Sequence, residues 1–362
     1  MKGGALSTSQ RERLLGFVDQ KPRLGPETVH IDLVNACNLD CVTCWNYAPG
    51  LASSKSATWK AQRMDEATFH RVLGEVAATG VERIILSGGG EPFMHPRIYE
   101  FIAAVKARGL VLTVISNGTL CDFPRLADLG VDQMLVNTSA ASAATYVAYH
   151  PNQEEATFGQ LVEGVAGVSG RIGINLVQVI NALNAHELEA MVELSARVGA
   201  RASIKLGDTP PGTEALALTE TQRRVLLDTS VPAAHAAADL LGVKHNIDAF
   251  VDQLASTTSK KIDTAPPLGR PKASTTPCFA GYLYSRFFVD GRVFFCCEHI
   301  EVGHVENHDF ATIWSSPDYD AVRRRLHEGR GYPGCARCGK HDMNFTAARQ
   351  LARLQEKICD PS

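Results

Sequence analysis

The stretch Cys37-Asn38-Leu39-Asp40-Cys41-Val42-Thr43-Cys44 places three thiols within eight residues, directly after the apolar run at residues 29–34. A C-x3-C-x2-C spacing lets three sulfurs face one soft metal centre and leaves one coordination position unfilled. A structural zinc site is closed by four protein ligands, so three cysteines would need a distant partner such as histidine. A four-iron cluster held by three cysteines instead keeps one iron open for a small molecule. The end of this first strand is therefore where chemistry is expected.

A second motif supports the cluster reading. Leu86-Ser87-Gly88-Gly89-Gly90-Glu91-Pro92 ends the next β-like run; glycines let a backbone approach a ligand closely, and a carboxylate after them can accept from an ammonium. The two motifs, in this order and at this separation, resemble the signature of the radical S-adenosylmethionine (radical SAM) enzymes. The resemblance implies a [4Fe-4S] cluster on Cys37, Cys41 and Cys44 that binds SAM, with Gly89, Gly90 and Glu91 receiving its amino group. It also implies contacts from Ser116-Asn117-Gly118-Thr119 to the ribose or carboxylate, and from Asn137, Ser139, Asn175 and Gln178 at the ends of later strands. The family often has an aromatic residue just before the third cysteine; here Thr43 stands there and Trp45 follows the cysteine.

With 362 residues and 45% hydrophobic content the chain can bury a large domain and a smaller one. Its formal net charge of -3 gives no excess of basic residues to meet a nucleic acid backbone. Neither a signal-peptide pattern nor a membrane-spanning run is visible, so a cytoplasmic protein is expected, and its 10 cysteines read as metal ligands and thiols rather than disulfides. Cys37, Cys41 and Cys44 form one group; Cys278, Cys296, Cys297, Cys335 and Cys338 form another; Cys121 and Cys359 stand apart.

From residue 29 onward, β-like runs at 29–34, 83–86, 110–115, 133–136, 172–180 and 202–205 alternate with helical spacing at 65–78, 96–108 and 185–198. Six such units predict an α/β fold with a parallel sheet, a partial (β/α)6 TIM-like barrel whose ligands sit at the carboxyl ends of the strands. The expected domains are an N-terminal leader at 1–27, the core at 28–206, a helical insert and linker at 207–277, a small iron-sulfur domain at 278–341 and a C-terminal helix at 342–362. Within the insert, residues 219–254 read as helical.

Near the C-terminus, Asp290-Gly291 between apolar runs signals a hairpin, bracketed by Cys278 and Cys296, and Cys335-Ala336-Arg337-Cys338 adds a C-x2-C knuckle. Four thiolates in two pairs suit zinc or an iron-sulfur cluster equally on chemistry alone. With the upstream motifs in view, the segment resembles the shortened "twitch" form of the SPASM domain, which implies a second, auxiliary [4Fe-4S] cluster on Cys278, Cys296, Cys335 and Cys338. Cys297 follows a ligand and on a strand points to the opposite face. It reads as a hydrogen donor to a substrate radical, as a buried cysteine, or as the ligand in place of Cys296. Tyr146, His150, Lys205, Tyr284, Arg286, Glu298 and His299 are candidate substrate groups.

The resulting expectation is a radical SAM enzyme that cleaves SAM to a 5'-deoxyadenosyl radical and takes hydrogen from an unactivated carbon, served by an electron donor such as flavodoxin or ferredoxin. The short N-terminal stretch leaves no room for a separate leader-binding domain. This favours a sugar, amino sugar or amino acid as substrate, dehydrogenated or epimerised, over the alternative of a peptide maturase. An alternative of another class is a non-catalytic iron-sulfur or zinc protein.

Overall fold

The computed structural model of the chain describes residues 6–258, 277–296, 300–332, 335 and 339–359. Its centre is a nine-stranded sheet with the order β6-β5-β4-β3-β2-β1-β7-β8-β9. The strands are β1 Thr28–Asp32, β2 Arg83–Ser87, β3 Val111–Ser116, β4 Gln133–Asn137, β5 Gly173–Ile180, β6 Arg201–Leu206, β7 Tyr284–Phe287, β8 Arg292–Phe294 and β9 Glu301–His304. The first six lie at the six expected runs, all parallel and in sequence order. β6 does not return to β1, so the barrel is open.

The alternation of a strand decides which residues meet the helices. Val29 and Ile31, Ile84 and Leu86, Leu112 and Val114, Met134 and Val136, and Ile174 and Leu176 share one core with Phe69, Val72 and Val76 of helix Glu66–Ala78 and with Phe101 and Ile102 of helix Ile98–Lys106. Phe69 and Phe101 stack at 3.9 Å between centroids. Each such side chain contributes about 1.5 to 3 kcal/mol when fully buried, so this layer fixes the register that brings the strand ends together.

The terminal segment joins the same sheet. β7 pairs in parallel with β1, Thr28 against Tyr284 through Ile31 against Phe287, and the expected hairpin then folds β8 back antiparallel, with Gly291 at φ +85° in its turn. β9 and the helix Phe310–Trp314 carry no strong local signal and were not anticipated. Because β8 runs against β1, Cys296 just beyond it lies at the opposite end of the sheet from Cys37. The two ends are separated by a five-residue strand, about 16 Å.

At the other edge, β6 is not left open. Ala202 N–H donates to Lys244 O at 3.0 Å, Leu206 N–H to Gln253 Oε1 at 3.0 Å, and the Asn246 side chain imitates a strand: it accepts from Ile204 N–H at 2.7 Å and donates to Ile204 O at 2.9 Å. Helices Val231–Leu241 and Ile247–Thr258 lie over this edge, with Ala234, Ala238 and Phe250 in one core with Ile180, Leu188 and Ile204. The segment after β6 thus caps an edge that would otherwise invite strand addition. Asn246→Ala strips both Ile204 groups of their partner and is expected to cost about 2 kcal/mol, read as a lower urea midpoint at unchanged slope; an unchanged midpoint would show that the amide does not cap the edge.

The N-terminal helix Thr8–Val18 starts on a Ser7/Gln10 capping box. Its Arg13 is buried and donates to Gly25 O at 2.9 Å, to Gly80 O at 2.6 Å and to Glu82 at 2.5 Å, while Leu14 and Phe17 pack on Phe279, Tyr282 and Leu283. Residues 6–18 are part of the fold and not a polar tail. Among the described residues no helix is long and apolar enough to cross a membrane.

Candidate active site

β1 ends at Asp32, and the chain leaves it through Leu33 and Val34 into the cysteine loop. The glycine motif after β2 lies against this exit: Gly90 N–H donates to Val34 O at 3.2 Å, Glu91 N–H to Ala36 O at 2.8 Å, and Asn46 Nδ2 to Gly89 O at 2.8 Å. A Cβ on Gly88 would lie 2.2 Å from Val34 O, and one on Gly90 2.0 Å from Ala36 O. The glycines are therefore required by the contact of two backbones, which seats the thiol loop on the ends of β1 and β2.

Cys37, Cys41 and Cys44 are all partly buried on this loop. Leu39 N–H reaches Cys37 Sγ at 3.5 Å and Asn46 N–H reaches Cys44 Sγ at 3.4 Å, contacts that favour sulfur as thiolate. Burial works the other way, pushing Cys37 up to about 11 and raising Cys41 and Cys44, and the neighbouring thiols raise Cys37 and Cys41 further. Three buried thiols that resist ionising side by side, with N–H donors already aimed at two of them, suit a cationic iron centre that supplies the missing positive charge. Cys37, Cys41 and Cys44 would hold it.

The Glu91 carboxylate is buried and engaged internally. It accepts from Ser116 Oγ at 2.8 Å, Asn117 N–H at 2.7 Å and Phe93 N–H at 3.1 Å, so in this structure it ties the β2 exit to the end of β3. Burial outweighs these three donors and pushes its pKa up to about 7. A carboxyl raised in the folded state contributes stability that is complete below its unfolded pKa near 4.5 and is lost as pH rises through 7. Glu91→Gln should remove that part of the pH dependence of the melting temperature, and an identical pH profile in the variant would show that Glu91 titrates as in the unfolded chain.

Ser116 is in phase with Val114, faces the helix layer and also accepts from Gly118 N–H at 2.8 Å. Asn117 reaches the thiol loop directly, donating to Asn38 Oδ1 at 2.9 Å, and Asn38 donates to Thr119 Oγ1 at 2.8 Å. Ser139 is buried at φ +49°, donates to Asn137 Oδ1 at 2.6 Å and accepts from Val179 N–H at 3.1 Å. Gln178 departs from expectation. It pairs with Ile204 and is in phase with Leu176 and Ile180, so it points into the helix layer, away from the mouth where a SAM contact was expected, whereas Asn175 faces the other way. Tyr146 and His150 are fully buried. Lys205 is exposed.

On the face opposite the helices, the β1 and β7 side chains form one row. Tyr284 Oη lies 2.9 Å from His30 Nδ1, His30 Nε2 lies 3.3 Å from Asp32, and Arg286 donates to both Asp32 oxygens at 2.9 and 3.0 Å. Burial, with Arg286 beside it, pushes His30 down to about 4, so it is neutral at pH 7; burial would raise Asp32, but Arg286 and His30 hold it below the usual carboxylate range. Tyr284 and Arg286, expected as substrate groups, here lock β7 to β1. Asp32→Ala removes the buried carboxylate from under a guanidinium and should cost about 3 to 5 kcal/mol in denaturant unfolding; a loss under about 1 kcal/mol, the surface-pair value, would contradict this.

At the far end of the sheet, Cys278, Cys296 and Cys335 pack against the main core. Tyr332 N–H donates to Cys335 Sγ at 3.3 Å, and burial raises the Tyr332 phenol, against the lowering effect of Arg325. Cys297, Glu298, His299 and Cys338 lie outside the described residues, so the hydrogen-donor role and the fourth ligand have no structural description. The residues that local spacing did not reveal are Tyr149, at the end of the helix after β4, and Asn152, in the turn that follows it; both grip the thiol loop.

An open parallel barrel with three thiols at the carboxyl end of its first strand, and a further thiol group at the opposite end of the sheet, is the architecture of an iron-sulfur protein in which Cys37, Cys41 and Cys44 would hold a cluster with one iron left for a ligand. The Radical SAM superfamily model matches residues 31–194 and the SPASM model, an iron-sulfur cluster-binding domain, matches residues 278–339. The chain belongs to the radical SAM superfamily and carries a SPASM-type auxiliary-cluster domain. It is similar to the tungsten-containing aldehyde ferredoxin oxidoreductase cofactor-modifying protein of Pyrococcus furiosus, 23% identical over 338 residues and 87% of each chain. It is also similar to the PqqA peptide cyclase of Methylorubrum extorquens, 27% identical over 309 residues, 81% of this chain and 73% of that protein. Streptococcus suis SuiB bound to the precursor peptide SuiA shares the fold at a TM-score of 0.59 and 13% identity, over 86% of this chain and 70% of that one. So does anSMEcpe with bound AdoMet and Cp18Cys peptide, at 0.58 and 12%, over 91% and 98%.

These relatives overturn the expectation of a sugar, amino sugar or amino acid substrate with dehydrogenation or epimerisation. The expectation rested on the lack of room for a leader-binding domain. A neighbour covered over 98% of its length holds a peptide, so this fold needs no separate domain to bind one.

Proposed function

We propose that the chain is a peptide-modifying radical SAM enzyme that joins or oxidises residues of a peptide substrate. The observation that carries this reading is the match to PqqA peptide cyclases across 81% of the chain, together with a sheet that carries thiol groups at both ends. When bound, the three-cysteine cluster would hold SAM on its open iron and supply the electron that splits it. The chain's own residues do the rest. The glycine motif and Glu91 seat the thiol loop on β1, Asn117 and Thr119 hold its start, and the buried Asp32-Arg286 pair keeps the auxiliary-cluster segment in register with the core. A cross-link removes two hydrogens from the peptide: one leaves as an atom, the other as a proton with its electron passing to an oxidant, the role the auxiliary cluster fits. Flavodoxin or ferredoxin fits as the external donor.

The test is co-expression of the full chain with each short peptide encoded beside its gene, followed by tandem mass spectrometry. A peptide lighter by two hydrogens, with fragments missing between two residues, is expected. Unmodified peptides throughout, with SAM cleavage intact, would contradict a peptide substrate.

A further inference from the structure

The thiol loop is held from one side by Asn117 and Thr119 through Asn38 alone. From the other side it is held along its length. Asn152 donates through Nδ2 to Asn38 O at 2.8 Å and accepts from Asp40 N–H at 3.2 Å. Val42 N–H donates to Tyr149 O at 3.0 Å, and the Thr43 hydroxyl is hydrogen-bonded to the Tyr149 phenol. These four contacts run from the residue after Cys37 to the residue before Cys44, and they bracket Cys41.

The gripping element is itself fixed. Tyr149 is fully buried at the end of helix Ala143–Tyr149, whose start is bolted to Glu187: the carboxylate accepts from Ala141 N–H at 2.8 Å, from Ser142 Oγ at 2.5 Å and from Thr145 Oγ1 at 2.7 Å. An eight-residue loop free to move would lose backbone entropy at every residue on closing around metal. A loop already pinned at four points has met most of that cost in folding.

We propose that Tyr149 and Asn152 are positioning residues of the cysteine loop, fixing the backbone arc from Asn38 to Thr43 that carries Cys41 before iron arrives. Neither residue hydrogen-bonds a sulfur; both act through the loop backbone and Thr43. The inference rests on the cluster assignment and not on the nature of the substrate.

The experiment follows thiol alkylation by iodoacetamide in the metal-stripped full chain, resolved cysteine by cysteine by mass spectrometry, and iron loss to a chelator in the reconstituted chain. The variants are Tyr149→Phe, Asn152→Ala, Thr43→Val and the double variant Thr43→Val/Tyr149→Phe. Tyr149→Phe and Thr43→Val are each expected to speed alkylation of Cys41 and Cys44 roughly fivefold, the opening expected for one lost hydrogen bond, Asn152→Ala, which loses two, by more than that, and all three to speed iron loss. The double variant should be no faster than its faster parent, since both changes remove the same bond. Cys121, half-buried beside Ser116, reports on the fold at large and should keep its wild-type rate. Wild-type rates at Cys41 and Cys44 in all variants would overturn the proposal. So would an equal rise at Cys121, which would assign the residues to general stability, and so would an effect of Tyr149→Phe without one of Thr43→Val.

Discussion

Cys41→Ala yields a chain that folds but no longer cleaves SAM. Cys41 is the middle thiol of the triad, flanked by Cys37 and Cys44, both of which raise it beyond the effect of burial. Two remaining thiolates cannot hold a cluster that needs three protein ligands and one open iron. Loss of partners that only orient a metal ligand already costs 10 to 100-fold, so loss of the ligand itself should lower 5'-deoxyadenosine formation at least about 10³-fold. The side chain adds little to the core beyond this role, so the melting temperature of the metal-free variant should stay close to that of the wild type. Chromatography of 5'-deoxyadenosine under dithionite checks the result; a variant cleaving SAM at a tenth of the wild-type rate or better would remove Cys37, Cys41 and Cys44 from the cofactor role.

Gly90→Ala is the second large effect, and it acts through shape alone. The added methyl would lie 2.0 Å from Ala36 O and 2.4 Å from Asn35 O. Both obstacles are backbone atoms of the segment that enters the thiol loop, and no rotamer change relieves them. Either β2 or the loop must move, at a cost of about 3 kcal/mol or more. The expected outcome is a lower melting temperature together with poor iron retention, because the displaced atoms belong to the residues immediately before Cys37. Gly74→Ala is the matched control: in helix Glu66–Ala78 its methyl meets nothing within 4 Å. It should gain up to about 1 kcal/mol through helix propensity. If both substitutions shifted stability alike, the close approach of the two loops would not be the reason for the glycine.

The features legible in the sequence are those that short-range chemistry writes locally. Three cysteines at fixed spacing, a triple glycine before an acid, six apolar runs and an Asp-Gly turn each declare themselves within ten residues, and the fold carries all of them at the expected places. What was hidden depends on partners far away in the chain. The parallel pairing of β7 with β1 joins residues about 250 apart, and the Asp32-Arg286 and His30-Tyr284 contacts at that seam have no local signature. The capping of β6 relies on one amide, Asn246, in a segment whose pattern says only that it is helical. Gln178 was misplaced because the family resemblance puts a polar SAM contact on the fifth strand, while the phase of β5 sends this side chain to the helices. Tyr149 and Asn152 were missed since a tyrosine at the end of an apolar helix reads as core. Tyr149 is indeed core, but its phenol and carbonyl also reach the thiol loop. Substrate class was the widest miss: room for a leader domain says nothing about what the mouth of the barrel itself can bind.

Transfer of deuterium from a peptide to the cofactor tests the proposed chemistry most directly. The peptide that co-expression identifies as modified would be made with fully deuterated residues and incubated anaerobically with the reconstituted full chain, SAM and reductant, and 5'-deoxyadenosine would be weighed by mass spectrometry. A hydrogen-abstracting peptide enzyme gives 5'-deoxyadenosine carrying one deuterium, in step with the loss of two hydrogen isotopes from the peptide. Undeuterated 5'-deoxyadenosine beside an unaltered peptide would contradict hydrogen abstraction from that peptide.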